Sequence, residues 1–236
     1  MNNNIIVTTI SVADARGNIA RIIDHTLLRA DATLDDLEKL CREAREYSFA
    51  AVCVNPGNVA YCVEHLAGSG IPVATVVGFP LGANTISTKE IETEFAVDDG
   101  ALEIDMVLNI GMLKSGNDNY VREDIQAVVE AARSHLVKVI IETALLTETE
   151  KIRACELAKL SGANFVKTST GFSKAGATAE DVALMRRIVG DDLGVKASGG
   201  IRSFEEAIKM VEAGANRIGT SSGVQIVRRA EEKLKQ

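Results

Sequence analysis

The chain has 236 residues, of which 46% are apolar and 25% charged, a mix that supports a folded core and argues against disorder. No window approaches the roughly 18 uninterrupted apolar residues of a spanning helix, and Met1 to Asn4 lack the basic-then-apolar order of a signal peptide, so a cytoplasmic protein without a membrane partner is expected. The net charge is −7 and the 26 Lys and Arg residues are scattered, which leaves no basic patch for nucleic acid.

Residues 1–18 precede the first apolar run and are expected to form an N-terminal extension, a short helix or arm. From residue 19 to 236 one pattern repeats eight times: a short β-branched run, a turn rich in Gly, Asn, Asp or Thr, then a stretch with helical spacing. The strand runs are Ala20 to Ile23, Ala51 to Val54, Val73 to Val77, Leu102 to Val107, Val137 to Glu142, Phe165 to Thr168, Gly194 to Ala197 and Arg217 to Gly219. Helix starts are marked by Thr33 to Asp36, Thr147 to Glu150, Thr178 to Asp181 and Ser203 to Glu206, each a hydroxyl followed three residues later by an acid. Runs this rich in Val and Ile indicate a parallel sheet covered by helices. Eight βα units without a linker, in a length near the roughly 250 residues typical of the class, predict an α/β fold, a single (β/α)8 TIM barrel.

Such a barrel places its active site at the carboxyl ends of the strands. Three runs insert charge there: Glu103 and Asp105 in the fourth, Lys167 in the sixth and Lys196 in the seventh. Alternation puts Glu103 and Asp105 on one face, and Lys138 and Glu142 of the fifth run on one face. Buried lysines cost several kcal/mol unless paired. A salt-bridge network that only fills the lumen is one explanation, but neighbouring lysines also have a chemical use. Two ammonium groups about 4 Å apart repel by roughly 4 kcal/mol at an effective dielectric near 20, enough to lower one pKa by up to about 3. The neutral amine of Lys167 can then attack a carbonyl, with Asp105 moving protons directly or through water.

Two glycine-rich loops follow the last strands: Ser198-Gly199-Gly200-Ile201-Arg202 and Gly219-Thr220-Ser221-Ser222. Both open onto helices, the usual place for phosphate in this class, where backbone N–H groups face an anion. Gly171 after the sixth run is expected on the same rim, with Thr168 and Thr170 supplying hydroxyls. Asp24, just past the first run, and Cys53, near the end of the second, are expected to line the mouth; His25 beside Asp24 reads equally well as structural. Asn55-Pro56-Gly57 reads as a turn. Cys41, Cys53, Cys62 and Cys155 lack metal or redox spacing, and His25, His65 and His135 form no metal motif, so free thiols and neither metal nor cofactor are expected.

Together the segments D-H-T-L-L from Asp24, E-I-D-M-V from Glu103, K-T-S-T-G-F from Lys167, K-A-S-G-G-I-R from Lys196 and G-T-S-S from Gly219 resemble the deoxyribose-phosphate aldolase family. The likeness runs from about Ile19 to Val227. It implies reversible cleavage of 2-deoxy-D-ribose 5-phosphate to acetaldehyde and D-glyceraldehyde 3-phosphate, without metal or organic cofactor, in a homodimer or higher homo-oligomer. It makes Lys167 the Schiff-base lysine, Lys196 the lysine that perturbs it, and Asp105 the acid that works with water. Many members end in a tyrosine that assists proton transfer, whereas no tyrosine follows Tyr120 here; Asp105, Lys196 and water are expected to suffice. The alternatives are another class I aldolase acting on a different sugar phosphate, a non-catalytic sugar-phosphate-binding barrel, or a phosphosugar isomerase using a carboxylate or histidine base.

Overall fold

The computed structural model describes residues 11–234. Residues 1–10 of the expected extension, and Lys235 and Gln236, lie outside the described residues. Helix α1 (Val12–Gly17) starts on Ser11, whose hydroxyl accepts the Asp14 N–H at 3.0 Å. Eight strands follow: β1 (Ile23–Leu27), β2 (Ala51–Val54), β3 (Val73–Val77), β4 (Glu103–Val107), β5 (Leu136–Ile140), β6 (Phe165–Lys167), β7 (Gly194–Ser198) and β8 (Arg217–Thr220). They pair in parallel in chain order, and β8 closes on β1 through Asp24 opposite Gly219.

Between them run α2 (Leu34–Tyr47), α3 (Val59–Leu66), α4 (Ile86–Asp98), α5 (Ile110–Lys114), α6 (Asp118–Ala131), α7 (Glu148–Leu160), α8 (Ala179–Val189) and α9 (Phe204–Glu212), with α10 (Gly223–Leu234) last. Thr33, Thr147 and Ser203 complete capping boxes with Asp36, Glu150 and Glu206, while Thr178 accepts the Asp181 N–H without the reciprocal bond. Each hydroxyl satisfies one donor that the first helical turn leaves free. The acids add favourable charge at the positive end of the helix dipole.

Outward strand residues such as Val52, Ile104, Val139, Val166, Val195 and Ile218 pack into the core between barrel and helices. The lumen differs. On β2 and β3 it is small and apolar, with Ala51, Cys53, Ala74 and Val76 forming a separate cluster with Leu28. On the other strands it is charged.

The first strand corrects the expected range. Ile19–Ile22 is a 3-10 turn that buries Ile19, Ala20 and Ile22 and exposes Arg21, and β1 begins at Ile23. The sequence D-H-T lacks an apolar signature because its lumenal Asp24 has cationic partners and its outward His25 is bonded to Glu43 on α2 at 2.8 Å. Strand five also ends early. Glu142 lies past β5, left-handed at φ 53°, and its carboxylate accepts Thr170 N–H at 3.1 Å, so it does not share the lumen with Lys138.

One buried ion pair lies in the helical layer. Lys89 on α4 is fully buried and donates to Asp124 on α6 at 2.5 Å and to the Val107 carbonyl at the end of β4 at 2.9 Å. Removing one partner of such a pair leaves an uncompensated charge. Asp124→Ala is therefore expected to cost about 3–5 kcal/mol of folding free energy, read by urea unfolding. Asp98→Ala, at the exposed Arg133–Asp98 pair, should cost less than about 1 kcal/mol; equal losses in the two variants would contradict this account.

Candidate active site

Lumenal lysines from three strands, β5, β6 and β7, converge on Asp105 of β4. Its Oδ1 accepts Lys138 Nζ at 2.7 Å, and its Oδ2 accepts both Lys167 Nζ at 2.8 Å and Lys196 Nζ at 2.6 Å. Register explains the meeting, since Asp105 is opposite Lys138 and Lys167 is opposite Lys196 on neighbouring strands. Lys196 also donates to Asp24 at 2.5 Å. Below it Arg217 bonds Asp24 and, at 3.0 Å, Glu103, while Lys138 reaches Glu103 at 2.6 Å.

The network holds three carboxylates, Asp24, Glu103 and Asp105, against four cationic groups, Lys138, Lys167, Lys196 and Arg217. The count leaves one positive charge in excess. Burial pulls the pKa of every one of the lysines down, but what surrounds each decides the outcome. For Lys196, burial is outweighed by Asp105 and Asp24, and its pKa is raised. Lys138 is likewise raised by Asp105 and Glu103 against its burial. For Lys167, burial dominates, Asp105 opposes it and Lys196 adds to it, so its pKa falls below the ordinary lysine value. Lys167 is thus the cation that sheds its proton most readily. Burial would raise Asp105 and Asp24, but the cations around them hold both well below the usual carboxylate range.

Lys167 also borders a cleft of about 330 Å³ at the carboxyl ends of the strands, within the size range of small-molecule sites. Of the residues expected on the rim, Thr170, Gly171, Gly199, Gly200, Ile201, Arg202, Gly219, Thr220 and Ser221 line it. Gly199 and Gly200 have φ of 86° and 80°, which side chains other than glycine rarely adopt. Gly199 is also pressed by Gly176, where an added Cβ would lie 2.1 Å from the Gly199 carbonyl oxygen. Gly176 was not legible as a site residue, because nothing in its sequence neighbourhood reveals a contact across two loops.

The two helix starts behind the rim are not equivalent. At α9, Glu206 already accepts the N–H groups of Arg202 at 2.8 Å and Ser203 at 3.0 Å. At α10, no side chain among the described residues accepts a first-turn N–H, and Ser222 N–H bonds Thr220 Oγ1 at 2.9 Å. A carboxylate thus already sits at the α9 start, whereas the described residues place none on the α10 start.

Other expected residues lie elsewhere. Asp24 is fully buried inside β1, held by Lys196 and Arg217, because the strand starts later than its apolar run suggests. Cys53 is fully buried in the apolar half of the lumen, where burial pushes its thiol pKa up. Thr168 is buried, and its hydroxyl donates to the Ser198 carbonyl at 3.0 Å. Ser222 faces a different groove, with His25 and Arg228. Glu103, Lys138 and Arg217 complete the charge network beside the expected Asp105, Lys167 and Lys196; a charge within a β-branched run was the signal for them, and it marked Glu103 and Lys138 without giving them a role.

A family model described as DeoC/LacD family aldolase matches residues 18–229. The chain belongs to that family. It is 62% identical over 211 residues to a deoxyribose-phosphate aldolase of Geobacillus sp., covering 89% of this chain and 95% of that one. It is 58% identical over 216 residues to a deoxyribose-phosphate aldolase of Macrococcus caseolyticus, covering 92% and 98%. Among solved structures, a tetrameric deoxyribose phosphate aldolase from Aeropyrum pernix superposes with a TM-score of 0.87 at 31% identity, covering 99% of both chains. The (β/α)8 barrel read from the sequence is thus the fold of this aldolase family.

The charge network has a measurable pH signature. A carboxylate with a depressed folded-state pKa contributes stability that is fully present above its unfolded value, roughly 3.9 for Asp, and lost as pH falls through the folded value. Asp105→Asn should therefore be less stable than the parent by a constant amount above about pH 4. That difference should shrink steadily as the pH is lowered further. Urea unfolding across this range measures it, and a difference that grows toward acid pH would contradict the ion-paired state of Asp105.

Proposed function

We propose that this chain is a deoxyribose-phosphate aldolase that cleaves 2-deoxy-D-ribose 5-phosphate to acetaldehyde and D-glyceraldehyde 3-phosphate through a Schiff base on Lys167. The observation that carries the reading is the shared Asp105 carboxylate: two lysines bind one oxygen, and only one of them faces the cleft. The 62% identity to a deoxyribose-phosphate aldolase supports the substrate.

In this mechanism neutral Lys167 attacks C1 of the open-chain sugar, and loss of water from the carbinolamine gives a protonated imine. The iminium draws the electrons of the C2–C3 bond as the C3 hydroxyl loses its proton. Glyceraldehyde 3-phosphate leaves, and the remaining enamine is protonated at C2 and hydrolysed to acetaldehyde. Proton transfers run through Lys196, Asp105 and water. The depressed pKa of Asp105 suits it better to hold and orient the two ammonium groups than to act as an unaided base. Lys196, held charged by Asp24 and Asp105, is a proton donor beside the new imine. The apolar wall of Ala51, Cys53, Ala74 and Val76 excludes water from one side of the lumen. The sugar phosphate is proposed to sit on Gly199, Gly200 and the α10 start.

The enzyme is further proposed to act in the cytoplasm as a homo-oligomer. No helix among the described residues is long and apolar enough to cross a membrane. Ile91 and Phe95, one turn apart on α4, are 50% and 66% exposed, an apolar face suited to a second copy. Phe95→Asp should lower the sedimenting mass without loss of the fold; an unchanged mass would remove this face from the assembly.

Borohydride reduction in the presence of acetaldehyde tests the chemistry. The parent should gain an ethyl adduct on Lys167, located by peptide mapping, and Lys167→Ala should gain none there and lose nearly all cleavage. A non-catalytic binding barrel predicts no adduct at all. Because Lys196 adds to the lowering of Lys167, Lys196→Leu should move the pH dependence of trapping to higher pH, and Lys196→Arg should leave it near the parent. An unmoved profile in the Leu variant would assign the low pKa to burial alone and give Lys196 another role.

A further inference from the structure

The opposite end of the barrel holds a second cavity, of about 550 Å³, at the amino ends of β8, β1, β2 and β3. Arg21, Arg45 and Arg217 all line it, and no carboxylate does. In a chain of net charge −7 this is a local concentration of positive charge, which carboxylates among the described residues offset only at Arg217, from the lumen side.

The three are held by different means. Arg217 is anchored from inside the lumen: its Nε and Nη2 are committed to Asp24 and Glu103, and its Nη1 makes no hydrogen bond among the described residues. Arg45, in the last turn of α2, spends Nε and one terminal nitrogen on the carbonyls of His65 and Ala67, at 2.9 to 3.0 Å, leaving Nη1 without a protein acceptor among the described residues. Arg21 lies on the exposed face of the 3-10 turn before β1 and makes no side-chain hydrogen bond among the described residues. Two of the guanidinium groups are therefore fixed by the protein but still have donors to offer, and the third is free to close over a ligand. Guanidinium donors in a fixed fork match phosphate oxygens, and preorganisation reduces the ordering cost of binding.

From this arrangement we propose that the amino-terminal mouth of the barrel is a second anion site, separate from the catalytic cleft, that takes a small phosphorylated molecule through Arg21, Arg45 and Arg217. The volume lies in the range of small-molecule sites and exceeds the needs of a single ion, so the ligand class is a compact molecule bearing one or two phosphate groups.

The test uses calorimetric titration with pyrophosphate and with inorganic phosphate. The full chain carrying Gly200→Val, or Ser221→Glu as a second variant that disables the rim loops, removes binding at the catalytic end. Pyrophosphate should still bind, more tightly than inorganic phosphate, and adding Arg21→Glu should weaken it by about tenfold or more, the loss of one charge-assisted contact and the gain of a repulsion. Arg21→Lys should fall between. Arg21→Glu alone should leave the cleavage rate unchanged, since the residue lies at the far end of the barrel. Absence of binding in the rim variants, or binding indifferent to Arg21→Glu, overturns the proposal.

Discussion

Everything in the lumen depends on the cost of keeping ionised groups out of water. A lysine ammonium or a carboxylate buried alone is penalised by several kcal/mol, and the barrel meets that cost by collecting opposite charges from separate strands onto shared atoms. Asp105 is the hub, because its two oxygens receive three ammonium groups. Asp24 and Glu103 extend the network downward to Arg217. The same arrangement that makes burial tolerable leaves one positive charge in excess, and burial, with Lys196 adding to it, lowers the pKa of Lys167. Structural compensation and the lowered pKa of Lys167 thus arise in one network.

The division of the lumen follows from it. Charges occupy β1 and β4 to β8, and small apolar residues occupy β2 and β3. An apolar wall beside the charges lowers the local polarity, which strengthens every interaction of the network and keeps burial the largest influence on Lys167. The rim repeats the logic with backbone groups. Glu206 closes the α9 start from within the protein, while the α10 start stays without a side-chain acceptor among the described residues. Two similar loops thereby differ in whether the protein itself supplies a carboxylate.

Much of this was legible in the sequence. Eight βα repeats, capping motifs at Thr33, Thr147 and Ser203, and charges inside β-branched runs follow from local rules, since period, cap and burial cost act over a few residues. Asp105, Lys167 and Lys196 stood out because a charge in a covered strand needs a partner. Strand one was misplaced because its residues are polar on both faces, and only Lys196, Arg217 and Glu43, all distant in sequence, make those polar residues tolerable there. Alternation put Glu142 on one face with Lys138, but its left-handed backbone breaks the period two residues after β5 ends.

The sequence by itself determined the fold class, the family likeness and the identity of the three charged residues at the centre, because these rest on local pattern and on residue chemistry. Which oxygen each lysine shares, which of them touches the cleft and which keeps its proton were decided by the tertiary structure alone. Those properties depend on distances and burial set by strands that lie 33 to 172 residues apart in the chain, and electrostatic energies vary too steeply with both for spacing along the sequence to reveal them.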